Sequence, residues 1–490
     1  MNPIQTNIRD LPHISHLAKE NVESPSPPLT SLGLLKQCGT KLKRFRDEIL
    51  NKQSSDDTPI CTSITCQSLS SDRIMKLAKA QLLQLNSQKA DVLSSVKGCF
   101  GAQSAGFPSE VAEDLELALL IQAAGEKVAN KEFIYARKLL SMCDCSDFKT
   151  GRAVQRVVYY FAKALKERID QEWGIISSDK LEGKMWMPMA EELDRIFLEP
   201  AMVACQQELP FCLETQFITT ESILENVASA KRIHLIDFEI DNGSQWTLIM
   251  QAFAVRYECP LELLKITAVG MCKETMEETG KWLSSFAETI NLPFSFKAVV
   301  SELKDLKEDF FELEADEVVA IDVAYRLWSL LVRPNYFEVL MAVIKNLKPC
   351  IILLKELEVN SNTPNFLERF NGSLFFFTAM FDCTKSCMEH QVLYRKLVEE
   401  GHFWGMIRNF ITTEGIERAL RHETIGFWRA LFARFGIVET DLSPTALYQA
   451  NLSLQSREHF HSCTSVMDGK CLILGWNGIP FQSISAWKFL

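Results

Sequence analysis

Short apolar runs alternate with amphipathic helical segments from about residue 231 onward, and this alternation constrains the fold more than any other feature of the chain. Apolar runs of about four to eight residues are typical of buried strands. A strand–helix–strand alternation builds a parallel sheet that is covered by helices on both faces. The predicted strands cover residues 233–238, 263–269, 294–300, 318–323 and 350–357. The predicted helices cover residues 244–256, 273–290, 335–345, 387–400, 414–435 and 444–454.

The end of the chain predicts a hairpin. Two further strands are expected at residues 471–476 and 484–489, and Asn477, Gly478, Ile479 and Pro480 supply the turn between them. A terminal hairpin on a doubly wound sheet is typical of the methyltransferase-type, Rossmann-like α/β folds. Because one fold carries many functions, this expectation does not specify an activity.

Helical periodicity dominates the preceding part, residues 109–230. Leu117, Ile121 and Val128 fall on one apolar stripe, and a second stripe follows at Val154, Val158, Phe161 and Leu165. We interpret this part as an α-helical cap on an α/β core at residues 231–490. The stripes predict either packing against a neighbouring layer or a surface for another chain.

Residues 1–108 form a distinct N-terminal head, because Ser-Pro and Ser-Asp stretches are typical of solvated, largely disordered chain. A short basic cluster within it fits either a nuclear import signal or a solvated helix face. Its members are Lys41, Lys43, Arg44 and Arg46.

The charge balance limits direct binding to nucleic acid. Lys and Arg number 52 against 63 Asp and Glu, so the formal net charge is −11. Such a chain repels a polyanion as a whole, and any contact with DNA must be local or made through a partner. No apolar run is long enough to span a bilayer, so we expect a soluble intracellular protein with no membrane contact.

The 15 cysteines favour a reducing compartment, since none forms the repeated C-x-x-C pairs of a structural zinc site. Two clusters offer three ligands each. Cys383, Cys387 and His390 share a predicted helix face, while His459, His461 and Cys463 alternate as on a strand. Each lacks a fourth ligand, and ordinary packing or surface chemistry is the favoured interpretation.

A cofactor in such a sheet would sit beyond the first strand. The loop there contains only Gly243, whereas a dinucleotide or S-adenosylmethionine loop needs several glycines, and the second strand ends without a carboxylate. Acids at the strand ends include Asp237, Asp322, Glu356 and Glu358. They could perform acid–base chemistry, but helix capping is the favoured role. Asp237, directly after a strand, is the acid for which we most expect a specific role.

Five ordered stretches resemble the plant GRAS family, from about residue 113 to the end. Residues 233–237, which are Ile233, His234, Leu235, Ile236 and Asp237, look like the VHIID motif, followed by Gly243, Gln245 and Trp246. The helical stripes resemble the family's leucine-rich segments. The PFYRE region is matched by Glu356, Glu358, Asn360, Arg369, Phe381 and Asp382. The RVER and SAW regions are matched by Arg418, Arg421 and Glu423, and by Trp476, Ser485 and Trp487.

The resemblance implies a helical cap on a Rossmann-like core, nuclear location, and dimerisation with itself or other GRAS proteins. It also implies control of transcription through bound transcription factors. Leu327, Leu330 and Leu331 fit an LxxLL coregulator pattern, although burial in the core explains them as well. The head lacks DELLA and TVHYNP segments, so gibberellin-triggered degradation is not implied. Leu420 and Ile479 depart from the charged positions of the RVER and SAW regions.

Three hypotheses follow from the sequence. A transcriptional coregulator acting as a binding scaffold predicts a degraded cofactor loop. A methyltransferase-like enzyme predicts a glycine-lined pocket for S-adenosylmethionine. A direct DNA reader predicts a contiguous basic face. The single glycine and the acidic net charge favour the first hypothesis.

Overall fold

The computed structural model describes residues 69–90, 92, 107–144, 146–175, 199–240, 242–257, 259–333 and 335–490. The basic cluster of Lys41, Lys43, Arg44 and Arg46 lies outside these residues. Within the described ranges, no helix combines the length and apolarity needed to cross a bilayer.

Helices form the first layer of the fold. They are α1 (Ser71–Ser87), α2 (Ser109–Ala129), α3 (Phe133–Met142), α4 (Ala153–Glu172), α5 (Glu199–Glu208) and α6 (Cys212–Asn226). Helices α2, α3 and α4 pack on one another, and α4 also packs on two later helices. The predicted helical cap is therefore present.

Helix α1 corrects the predicted extent of the disordered head, because it lies inside residues 1–108. Its apolar side chains recur at helical spacing and are buried against α2, among them Ile74, Ala78 and Leu82. The side-chain amide of Gln122 on α2 donates to the carbonyl of Met75 at 3.1 Å. The ordered fold thus includes residues 71–87, whose apolar stripe buries enough surface to fix a helix.

The sheet explains why the apolar runs alternate with helices. Its strands are β1 (Arg232–Asp237), β2 (Leu263–Gly270), β3 (Phe294–Val300), β4 (Val318–Asp322), β5 (Ile351–Leu357), β6 (Ile437–Thr440), β7 (Cys463–Asp468), β8 (Cys471–Trp476) and β9 (Ile479–Phe489). The order is β3-β2-β1-β4-β5-β9-β8-β7, and β6 pairs with β9. Strands β1 to β5 are parallel and β9 is antiparallel to β5. This order confirms the predicted methyltransferase-type, Rossmann-like α/β fold.

The remaining helices are α7 (Gln245–Ala254), α8 (Lys273–Thr289), α9 (Asn335–Asn346), α10 (Phe366–Cys387), α11 (Val392–Val398), α12 (Trp404–Thr412), α13 (Ile425–Ala433) and α14 (Pro444–Gln455). The predicted helix at 414–435 is wrong over its first half, where a 3₁₀ turn, Gly415–Glu417, leads into an irregular segment. Arg418 and Arg421 in this segment donate to backbone and side-chain oxygens of residues 362–363. These tertiary bonds outweigh the local helical periodicity.

The C-terminal hairpin also differs from the prediction. Its turn consists of Asn477 and Gly478 alone, with φ values of 49° and 81°, so β9 begins at Ile479 rather than at residue 484. Two residues with positive φ suit a tight hairpin turn. Strands β6 and β7 were not predicted. His461 lies in a 3₁₀ turn, Phe460–Ser462, and His459 lies directly before it, so both precede β7. Their predicted alternation on a strand is therefore wrong.

Two apolar cores lie on opposite faces of the sheet. Ile233 and Leu235 of β1 contribute to the core under the helical layer, whereas Ile236 contributes to the other core. This split follows from the alternation of side chains along a strand.

The cores correct both sets of predicted interaction residues. Leu117, Ile121 and Val128 are exposed by only 7%, 0% and 3% because they pack among the cap helices. Leu327 and Leu330 are exposed by 0% and 3% in a 3₁₀ turn, and Leu331 packs against the second core. The five buried side chains belong to the cores, and Leu331 is partly exposed beside the second core.

Candidate functional site

Asp237 ends the central strand β1 and is fully buried. Its Oδ1 accepts the backbone N–H of Glu239 at 2.9 Å. Its Oδ2 accepts bonds from the Gln245 side-chain amide and the Trp246 indole, both at 2.7 Å. The VHIID-like strand and the following Gln-Trp pair are therefore joined at one carboxylate, which ties β1 to the first turn of α7.

A second buried acid lies beside the first. Asp322 ends β4 and is paired in register with Asp237, and its Oδ2 lies 2.9 Å from Nζ of Lys355 on β5. All three side chains are at most 6% exposed. Burial, reinforced by Asp322, raises the pKa of Asp237 to about 7. Lys355 therefore pairs with Asp322, and its charge also opposes the rise in the pKa of Asp237.

The conformation of the loop between Asp237 and α7 is set by its packing against α8. Gly243 has a φ of 67°, and a Cβ at this position would lie 2.7 Å from Cγ2 of Thr279 on α8. Glycine is needed here for the close approach of the loop to α8. Strand β2 ends at Gly270 and the exposed Met271, so no carboxylate stands where a ribose hydroxyl would be bound.

Two acids at the end of β5 and just after it hold the segment that precedes α13. Oε1 of the buried Glu356 lies 2.6 Å from Nδ1 of His422, and Glu358 accepts the backbone N–H of Ile425 at 3.0 Å. Burial raises the pKa of Glu358 to about 7. Glu423 accepts a bond from the Asn362 side chain. The PFYRE-like and RVER-like regions are thereby brought together.

Arginines form a second charged group around Glu414. Arg168 and Arg369 lie 2.9 Å and 2.5 Å from Glu414 Oε1, and Arg418 lies 3.9 Å from Oε2. The backbone carbonyl of Thr363 accepts bonds from both Arg369 and Arg418. Burial, together with the neighbouring Arg369, lowers the pKa of Arg418 to about 10. These guanidinium groups stabilise loops, while Asn360 caps the turn at Thr363.

Asp382 joins three separate parts of the chain. Its Oδ1 accepts the Ser71 hydroxyl of α1 at 3.0 Å. Its Oδ2 accepts the indole of Trp476 at 2.9 Å and the amide of Asn477 at 3.1 Å. The preceding Phe381 is buried against Tyr160 of α4. This carboxylate therefore fixes α1 and the β8–β9 turn on α10.

Other motif residues serve the interior. Trp487 packs on Phe432 and donates its indole N–H to Ser485 at 2.8 Å. His234 lies within 2.7 Å of the Thr267 hydroxyl. Burial, followed by the charges of Lys265 and Lys297, lowers the pKa of His234 to about 3, and its Nδ1 lies 3.2 Å from the buried Glu317 carboxylate.

The cysteine and histidine clusters are not brought together as metal sites. Among the residues that the structure describes, no group of three potential ligands has metal-binding geometry. Cys383 and Cys387 lie on successive turns of α10 with their sulfur atoms 4.0 Å apart.

Sequence reasoning identified Asp237 but missed Lys355, the cation that pairs with the neighbouring Asp322. The only signal for Lys355 was its place, with Glu356, at the end of a predicted strand that is otherwise apolar. It also missed the buried pair of Arg156 and Glu399. Their charged groups lie 3.0 Å apart, although the residues are 243 positions apart in the sequence. No local pattern links such residues.

Asp237 predicts a specific dependence of stability on pH. Its pKa is about 7 in the folded chain, compared with 3.8 for an unperturbed aspartate. Between these two pH values the folded state therefore retains a proton that the unfolded chain loses. The stabilising contribution is present below pH 4 and is lost as pH rises to about 7. We expect the free energy of unfolding of wild type, relative to Asp237→Asn, to fall by about 1 kcal/mol between pH 6 and 7.5.

Chemical denaturation of both proteins across this pH range measures the difference. Asn also places an amide against two donors, so Asp237→Asn should be less stable than wild type by about 0.5–2 kcal/mol at pH 6. A difference that does not change with pH would contradict the assignment of the titration to Asp237.

Comparisons with known proteins agree with the motif pattern. The GRAS domain family model matches residues 117–488. DELLA protein GAI1 of Vitis vinifera is 30% identical over 419 residues, covering 83% of this chain and 68% of that protein. DELLA protein RGA of Arabidopsis thaliana is 29% identical over 375 residues, covering 75% and 61%. This chain therefore spans about two thirds of the length of these relatives.

A solved structure has the same fold. The crystal structure of SCL7 in Oryza sativa superposes with a TM-score of 0.62 at 24% sequence identity. The match covers 81% of this chain and 100% of that chain.

Proposed function

This chain belongs to the GRAS domain family, and we propose that it acts in the nucleus as a non-enzymatic regulator of transcription in plant development or signalling. It works by binding transcription factors and by dimerising with itself or with other GRAS proteins. The family match over residues 117–488 is the observation that carries this proposal.

The arrangement around Asp237 supports a binding role over methyl transfer. In a methyltransferase-type sheet, a cofactor would approach the ends of β1 and β2. Here both oxygens of Asp237 are already occupied by Glu239, Gln245 and Trp246. The one loop glycine, Gly243, packs closely against Thr279. These groups therefore stabilise the loop itself, which supports a structural role for Asp237 over cofactor binding.

The charge distribution supports recruitment to DNA through a partner. The net charge of −11 opposes general attraction to a polyanion. The arginine group formed by Arg168, Arg369 and Arg418 shares Glu414 and binds backbone carbonyls, so its donors are largely used within the fold.

Isothermal titration of the purified full chain with S-adenosylmethionine discriminates between regulator and enzyme. We expect no saturable heat, while fluorescent fusions of the same chain accumulate in plant nuclei and light scattering reports a dimer. The matched control is the same titration into an active methyltransferase. Saturable binding of the cofactor would support the enzyme hypothesis instead. Exclusion from the nucleus would contradict the proposed role in transcription.

A further inference from the structure

Two free cysteines near the end of α10 lie close together and have no role in the proposed function. Cys383 Sγ lies 4.0 Å from Cys387 Sγ. Cys383 is fully buried, whereas Cys387 is half-buried and is the last residue of the helix. We propose that these two thiols are a peroxide-modification site, in which Cys387 is oxidised first and Cys383 then closes a reversible disulfide.

Accessibility assigns the order of the two steps. A peroxide reaches the partly exposed Cys387 before it reaches Cys383, which lies inside the core. Burial also raises the pKa of the Cys383 thiol, so less of it is thiolate and it is the slower of the two to attack a peroxide in solution. Once Cys387 is oxidised, its sulfur is an electrophile held within 4.0 Å of Cys383.

The chemistry balances with peroxide as the oxidant. The Cys387 thiolate attacks one peroxide oxygen, the O–O bond breaks, and sulfenic acid forms as the released hydroxide takes up a proton to give water. The Cys383 sulfur then attacks the Cys387 sulfur. The S–O bond breaks and hydroxide leaves with the Cys383 proton as water. Two thiols are oxidised to a disulfide, and one hydrogen peroxide is reduced to two waters.

Helix geometry makes this disulfide strained and therefore easily reduced. Residues four apart in an α-helix have Cα atoms about 6.2 Å apart, near the upper end of the range for disulfides, about 4.4–6.8 Å. Their Cβ atoms are about 5–6 Å apart, which exceeds the usual span of about 3.5–4.5 Å. The last turn of α10 must therefore open when the bond forms. Strained disulfides have higher reduction potentials and are labile.

The position at the helix end permits this opening. Directly after the last helical residue, the N–H of Met388 donates to the carbonyl of Thr384 at 3.0 Å. Just beyond it, the Gln391 side chain donates to Glu208 on α5 at 2.9 Å. Oxidation should loosen this contact between the α10–α11 connection and the helical layer.

Peptide mapping tests the proposal on the full chain. Reduced protein is treated with hydrogen peroxide, alkylated with iodoacetamide and digested with trypsin without reduction. Lys385 lies between the two cysteines, so cleavage places them on separate peptides, 370–385 and 386–395. We expect these peptides to be linked as the principal disulfide and to separate after dithiothreitol.

Variants assign the roles. Cys383→Ser should abolish the linked peptides and let Cys387 accumulate as a sulfenic acid that dimedone traps. Cys387→Ser should leave Cys383 reduced and alkylatable. Cys272→Ser removes an exposed cysteine elsewhere and should leave the linkage unchanged. Hydrogen exchange at residues 384–391 should increase on oxidation of wild type only.

Two results would overturn the proposal. One is that both thiols remain alkylatable while other cysteines in the same sample are oxidised. The other is that Cys387 links to a different cysteine, such as Cys205 or Cys463, whose thiolate charges are near enough to affect the pKa of Cys383. Neither result bears on the proposed nuclear function.

Discussion

Lys355→Met should lower the free energy of unfolding by about 3–5 kcal/mol, because it leaves Asp322 as a buried charge without its cation. Lys355 Nζ lies 2.9 Å from Asp322 Oδ2, and Asp322 is paired in register with the equally buried Asp237. Without the ammonium, two neighbouring carboxyl groups face one another in the interior. Chemical denaturation of the full chain measures the loss.

Two further variants separate this charge effect from a packing effect. Asp322→Asn combined with Lys355→Met removes both charges, and most of the lost stability should return. Lys385→Met removes the cation of an exposed pair with Glu389 and should change stability by less than about 1 kcal/mol. Equal losses in the single and double variants would show that packing by the lysine stem matters more than its charge.

Arg156→Met should have an effect of similar size, about 3–5 kcal/mol, where α4 meets α10 and the π-helical turn Glu399–Phe403 that follows α11. Its Nε lies 3.0 Å from Glu399 Oε2, and both side chains are 2% exposed. Its two terminal nitrogens donate to the carbonyls of Gly151 at 2.7 Å and Phe381 at 3.0 Å. The variant therefore leaves a buried carboxylate and two carbonyls without their principal donor.

Denaturation of Arg156→Met alongside Arg156→Met/Glu399→Gln tests the electrostatic part of this loss. The double variant should recover a substantial fraction, although the two carbonyls still lack the guanidinium donors. Lys273→Met, in an exposed pair with Glu277, serves as the surface control. If Arg156→Met were no more destabilising than Lys273→Met, the buried pair would not stabilise the contact between α4 and the turn after α11.

The sheet could be predicted from the sequence because its signal is local. The apolar run at β1 and those at β2 to β5 are bounded by polar residues, and each run is long enough for one strand. Asp237 was identified for the same reason, since it directly follows such a run. Its three hydrogen bonds are also largely local, reaching only as far as Trp246.

The errors arose where tertiary contacts decide the local structure. Residues 414–424 have helical periodicity, but Arg418, Arg421 and His422 bind oxygens of the segment after β5 and of β5 itself, which holds the chain irregular. The predicted head ended too late because α1 is stabilised by α2 and by Asp382, which is 311 positions from Ser71. Leu117 and Ile121 form a stripe that fits either a core or an interface, and only the structure places them in the core.

Reporter output from the full chain tethered to a heterologous DNA-binding domain in plant cells tests the central claim most directly. The account predicts that the tethered chain changes transcription, that the same chain without the tether leaves this promoter unchanged, and that purified chain does not bind the promoter DNA. A nuclear, folded and tethered chain that leaves transcription unchanged would contradict the account.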